Sequence, residues 1–147
     1  MKKEADMMRE LTLGAKTENL EQVLNFVNGL LEEKNCPVNL VFELDIAVEE
    51  LFVNIAHYAY TPGVGEATIQ VSFEGESVVI TFIDGGIPYN PWAKKDPDIT
   101  LSLEERKIGG LGIYMVKNSM DEVGYVYKDG KNIVTIKKNL SDENMAE

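Results

Sequence analysis

A chain of 147 residues is long enough for one domain with its own core, since a protein of this size buries roughly 70% of its unfolded surface. With 44% hydrophobic and 27% charged residues it has an ordinary globular composition, and its formal net charge of -11 argues against a nucleic-acid surface while leaving room for a small anion held by local donors. The lone Cys36 excludes an intrachain disulfide, no apolar run nears the ~18 residues of a membrane span, and no apolar signal core follows Met1-Lys2-Lys3; a cytoplasmic protein free of membrane and nucleic acid is expected.

Met8 to Ala15 alternates weakly and predicts a first strand. Thr17 then reads as an N-cap with Glu18 in the first turn, and Leu20, Val23, Leu24, Val27, Leu30 and Leu31 recur at helical spacing to about Lys34. Asn35-Cys36-Pro37 breaks this helix and leaves the thiol near its end. Asn39 is the candidate cap of a second helix running to about Tyr60.

After a loop at Thr61-Pro62-Gly63-Val64-Gly65, residues 67–73 and 78–83 alternate as two strands joined at Glu74-Gly75-Glu76. Residues 92–108 form a long irregular loop of the kind that is usually functional. A helix follows Gly109-Gly110-Leu111-Gly112 and carries Ile113, Met115, Val116 and Met120. Strands at residues 123–127 and 132–138, turning at Asp129-Gly130, close the domain. Helices grouped against a mixed, largely antiparallel sheet make an α+β fold, a two-layer sandwich with the helices on one face.

Three stretches carry chemistry. On the second helix, Leu44, Ala47, Val48, Leu51 and Ile55 form a core stripe, while Glu50, Asn54 and His57 follow one another at spacings of four and three on a separate side. That row reads either as a solvated polar face or as a functional one. Asp84-Gly85-Gly86-Ile87-Pro88 ends a strand; it reads as a plain turn, or as a carboxylate that accepts from an exocyclic amine beside glycines that admit a flat ring. Gly109-Gly110-Leu111-Gly112 opens a helix whose backbone N–H groups attract phosphate, although no P-loop Gly-Lys-Ser/Thr follows.

Glu-x-x-x-Asn, then Asp-x-Gly-x-Pro, then Gly-Gly-Leu-Gly, in this order, resembles the Bergerat nucleotide-binding fold of gyrase, the Hsp90 chaperones and the histidine kinases. Asn54-Ile55-Ala56-His57-Tyr58-Ala59-Tyr60, the run from Asp84 to Pro91, and Gly109 through Val116 on to Met120-Asp121-Glu122-Val123 look like the anti-sigma regulatory serine/threonine kinases of that superfamily. The resemblance implies a single ATPase domain over residues 1–147, with its core at about 9–138 and an ATP lid at about 86–110. It implies that Asn54 coordinates Mg²⁺, that Glu50 is the general base, and that Asp84 reads the adenine amine. Gly86, Gly110, Leu111, Gly112 and Thr135 would complete the ATP site, although Thr135 reads equally as an ordinary strand threonine.

The same resemblance implies an anti-anti-sigma partner of the STAS type as phosphate acceptor, a sequestered sigma factor, and a homodimer formed through the first strand and nearby surface. Glu43, two turns before Glu50, is an alternative base by geometry alone. His57 reads as a structural hydrogen-bonding residue rather than a catalytic one. Lys94, Lys95 and Arg106 read as surface residues or as γ-phosphate contacts from the lid, Arg106 being the best placed, and Trp92 as the packing anchor of the lid. The competing function is an ATP-responsive binding module that transfers no phosphate; an intact Glu50 favours the kinase. A histidine kinase fits less well, because the single histidine, His57, lies inside the nucleotide motif and only about 40 residues precede its helix.

Overall fold

The computed structural model describes residues 7–60, 63–93 and 110–141. Strand β1 (Arg9–Gly14) leads through a 3-10 turn at Thr17–Asn19 into helices α1 (Leu20–Glu33) and α2 (Val38–Tyr58). Strands β2 (Glu66–Glu74) and β3 (Ser77–Asp84) follow, then helix α3 (Gly110–Ser119) and strands β4 (Glu122–Lys128) and β5 (Lys131–Asn139).

The five strands form one sheet in the order β1-β2-β3-β5-β4. Among the described residues every pairing is antiparallel, in keeping with the expected largely antiparallel sheet and with no parallel pair among them. The β4–β5 hairpin is the reason. It returns the chain so that β5, not β4, lies beside β3, and β5 then runs against it. Asp129 and Gly130 turn this hairpin with φ of 53° and 77°, the doubly positive conformation of a two-residue turn whose twist matches the strands.

Side-chain alternation sorts the sheet into two faces. Ala67, Ile69 and Val71 of β2, Val78, Ile80 and Phe82 of β3, and Val134 and Ile136 of β5 are buried together with the helices. From α1 the core takes Val23, Val27, Leu30 and Leu31, and from α3 and the residue just beyond it Ile113, Val116 and Met120. Helix α2 contributes most, from Leu40 through Leu44, Val48, Leu51 and Phe52 to Ile55. This is the expected two-layer α+β arrangement, with α2 held against the sheet by its whole inner stripe.

Helix boundaries differ from expectation at both predicted caps. Thr17 does not cap α1, because the 3-10 turn intervenes; its hydroxyl is 3.4 Å from Glu18 Oε1. Asn19 occupies the cap position, but its Nδ2 donates to the Gly14 carbonyl at 2.8 Å, which ties the helix to the end of β1. Asn39 lies inside the first turn of α2. The cap position is Pro37, whose carbonyl accepts from both Leu40 N and Val41 N at 3.0 Å. The α1 stop is as expected and its mechanism is visible. Asn35 turns left-handed (φ 54°), Cys36 N donates to Leu31 O at 3.1 Å and Asn35 N to Glu32 O at 3.0 Å. That pair of bonds satisfies the last carbonyls of the helix.

Candidate functional site

The inner stripe of α2 fixes the rotation of the helix, and with it the position of its polar row. Asn54 comes to line a cleft between α2 and the end of β3, together with Leu51, Ile55, Phe82, Asp84 and Asn132. The cleft holds about 480 Å³ of empty space, part of it open to solvent. Among the described residues the Asn54 amide makes no hydrogen bond, so both its oxygen and its nitrogen are left for a ligand.

Glu50, one turn earlier, is half-buried and reaches α3. A Cβ built on Gly112 would overlap the Glu50 carboxylate, so a larger residue there must displace that side chain. Burial raises the Glu50 pKa above its ordinary value, and the neighbouring Glu49 carboxylate adds to the shift. Glu43, the alternative base, points elsewhere: its Oε2 is 3.3 Å from Lys138 Nζ, which also donates to the Ser119 carbonyl at 2.7 Å. His57 is exposed and sits edge-on to Tyr58, with ring centroids 5.9 Å apart.

Asp84 continues the inward row of β3 after Val78, Ile80 and Phe82, and it is only 5% exposed. A carboxylate that deep needs donors. Its Oδ1 accepts from Gly86 N at 2.9 Å and from Asn132 Nδ2 at 3.0 Å, and among the described residues its Oδ2 accepts from none. Gly86 is forced by close approach: a Cβ there would collide with the Ala59 carbonyl oxygen at the end of α2. That same oxygen accepts from Ile87 N at 3.0 Å, which fastens the turn after β3 to the helix. Tyr60 holds the turn from its other side. Its hydroxyl accepts from Gly85 N at 2.7 Å and donates to the Glu66 carbonyl at 2.6 Å. Burial is the leading cause of a raised Tyr60 pKa.

The sequence-predicted residues therefore divide. Asn54 and Asp84 line the cleft, Gly86 donates to Asp84, and Glu50, one turn from Asn54, meets Gly112. Gly110 and Leu111 begin α3, so the helix starts inside the glycine cluster rather than after it. Thr135 is not part of the cleft. It pairs with Thr81 and Gly124 on the sheet face turned away from the helices, one residue out of phase with the buried Val134 and Ile136. Lys94, Lys95, Arg106 and most of the expected lid, Gly109 included, lie outside the described residues. Trp92 is half-buried against the core and donates from Nε1 to the Gly124 carbonyl at 2.8 Å; most of the lid it was expected to anchor lies outside the described residues.

Asn132 and Tyr60 are functional neighbours that sequence reasoning passed over. For Asn132 a signal was present. Counting back by twos from Ile136 and Val134 puts Asn132, not Thr135, on the inner face of the last strand. A polar residue at an inward position of an otherwise apolar row marks a site.

Comparison with known proteins agrees with this fold. A histidine kinase-like ATPase domain matches residues 13–138. The chain is 25% identical over 132 residues to the serine-protein kinase RsbW of Bacillus mycoides (strain KBAB4), covering 87% of this chain and 82% of that one. It is 26% identical, with the same coverage, to the serine-protein kinase RsbW of Bacillus cereus (strain ATCC 10987 / NRS 248). In three dimensions it resembles the crystal structure of the RsbU and RsbW domains of Rv1364c from Mycobacterium tuberculosis. The TM-score there is 0.66 at 18% identity, over 91% of this chain and 32% of that chain. The chain thus spans about a third of that longer protein, and the likeness carries the fold. The matched region includes α2, the turn after β3 and the start of α3; the chain belongs to the histidine kinase-like ATPase domain family.

Proposed function

We propose that the chain is an ATP-dependent serine/threonine protein kinase that phosphorylates an anti-anti-sigma partner of the STAS type and, in its other state, sequesters a sigma factor. The observation that carries this reading is the Glu50 carboxylate, half-buried one helical turn from the cleft-lining Asn54 and pressed against Gly112 in the first turn of α3. A raised pKa suits a carboxylate that must accept a hydroxyl proton. Relatives named serine-protein kinase RsbW support the activity.

The roles follow from the donor set. Asp84 Oδ2 would accept from the adenine amine, and the apolar walls of Phe82, Ile55 and Val134 would hold the ring. The Asn54 amide oxygen is the ligand type Mg²⁺ takes when phosphate oxygens and waters supply the rest. Mg²⁺ would neutralise charge on the phosphates. Glu50 would accept the proton as the incoming hydroxyl oxygen bonds to the γ-phosphorus and ADP leaves. The N–H groups at the start of α3, with Gly110, Leu111 and Gly112 in its first turn, would face the phosphates. A homodimer through β1 is part of the proposal; β1 is an edge strand of the sheet, paired only with β2 among the described residues.

Incubation with Mg·ATP and an STAS-type partner from the same source, with the phosphate located by mass spectrometry, tests the activity. Glu50→Gln should bind ATP as the parent does and transfer phosphate at least ~100-fold more slowly. Asn54→Ala should lose Mg·ATP affinity in calorimetry while remaining folded. A parent that binds ATP and transfers to no partner would make it an ATP-responsive binding module instead.

A further inference from the structure

The least expected feature of the cleft is the completeness of the hydrogen bonding around Asn132. The side chain is 3% exposed, at the first inward position of β5 and directly across from Asp84. Its Nδ2 donates to Asp84 Oδ1 at 3.0 Å and to the Ile87 carbonyl at 2.8 Å. Its Oδ1 accepts from Tyr89 N at 2.9 Å and from the Tyr125 hydroxyl at 2.5 Å. An amide offers two donors and two acceptor sites, and all four are used.

The partners also fix which way round the amide lies. The Ile87 carbonyl can only accept and the Tyr89 N–H can only donate, so a flipped amide would oppose acceptor to acceptor and donor to donor. Asn132 therefore always presents an N–H to Asp84. With Gly86 N on the same oxygen, both protein donors to Asp84 fall on Oδ1. Oδ2 is left with acceptor capacity in a cleft that the carboxylate lines.

We propose that Asn132 is a positioning residue for base recognition, orienting the Asp84 carboxylate so that one oxygen is committed to the protein and the other to an exocyclic amine. The inference rests on the ATP-binding reading above and deepens it. A residue three positions from the expected Thr135, and on the opposite face of the sheet from it, sets which purine the site accepts. Tyr125, from β4, acts one step further out by holding Asn132. The network thus links the edge of the sheet to the turn after β3 and to the reading carboxylate. A buried acceptor of fixed orientation distinguishes ligands sharply, because a ligand without the matching donor leaves it unpaired.

Asn132 also braces the 87–89 segment, so weaker binding alone would not separate positioning from support. The test compares ATP with purine riboside triphosphate, which lacks only the 6-amine, by calorimetric titration of the parent, Asn132→Leu and Tyr125→Phe. The parent should bind ATP at least ~10-fold more tightly than the amine-free nucleotide. In folded Asn132→Leu that ratio should fall below about 3, with ATP losing affinity and the amine-free nucleotide changing little. Tyr125→Phe, which keeps its ring and removes one bond to Asn132, should give an intermediate ratio. It decides the matter if circular dichroism shows Asn132→Leu unfolded. Variants that weaken both nucleotides equally, with the parent ratio intact, would overturn the proposal and leave Asn132 a loop brace. A parent that binds neither nucleotide would instead overturn the ATP-binding reading.

Discussion

The Glu50 carboxylate of α2 lies against the α-carbon of Gly112 in α3, with no room for a side chain between them. The group displaced by a methyl there is the far end of a flexible side chain, so the protein should tolerate the change by moving the carboxylate. Alanine is also the better helix former, by about 0.5–1 kcal/mol. Gly112→Ala is therefore expected to melt at or slightly above the parent temperature while phosphate transfer drops at least ~10-fold, because the base is pushed off its position. Melting curves and transfer rates on the same preparation check both halves.

Glu50 also predicts a pH dependence. Its pKa is raised by burial first and by Glu49 second, so the transfer rate should rise with pH through an inflection above the ordinary glutamate value of about 4.3. Glu49→Gln should move that inflection down. For stability, a carboxyl whose pKa is higher in the folded than in the unfolded state favours folding below the unfolded value, and this contribution is lost as pH rises through the folded value. Glu50→Gln should accordingly be at least as stable as the parent at pH 7, with that advantage disappearing near pH 3. Thermal melts at the two pH values test the sign.

Gly86 is constrained by backbone rather than by a side chain. A methyl there meets the Ala59 carbonyl oxygen, which also accepts from Ile87 N. Relief requires α2 and the turn after β3 to separate. Gly86→Ala should cost about 1–3 kcal/mol, read as a lower urea midpoint, and should weaken ATP binding because Asp84 Oδ1 loses its alignment with Gly86 N.

Thr135→Val provides the negative control. Its side chain lies on the far face of the sheet, beside Thr81 and Gly124. ATP affinity in calorimetry should be unchanged; a marked loss would show that the far face of the sheet communicates with the cleft.

Sequence by itself determined the elements and the order of the motifs. Periods of 3.6 and 2 are local, so α1, α2 and the two hairpins were legible within a few residues, as were the stop at Asn35 and the turn at Asp129-Gly130. The spacing of Glu50 and Asn54 is likewise a property of one helix. Only the tertiary structure decided what meets what. Capping failed to be legible because Asn19 spends its amide on Gly14, a partner in another element. Glu50 and Glu43 look alike on the helix, yet one faces Gly112 and the other faces Lys138, on different strands and helices. Asp84 and Asn132 are 48 residues apart in sequence and 3.0 Å apart in space. Their pairing depends on β5 lying beside β3, and no local pattern encodes strand order. The parity of β5 was readable, but its consequence was not: an inward asparagine becomes a partner of the reading carboxylate only when register sets it across from Asp84.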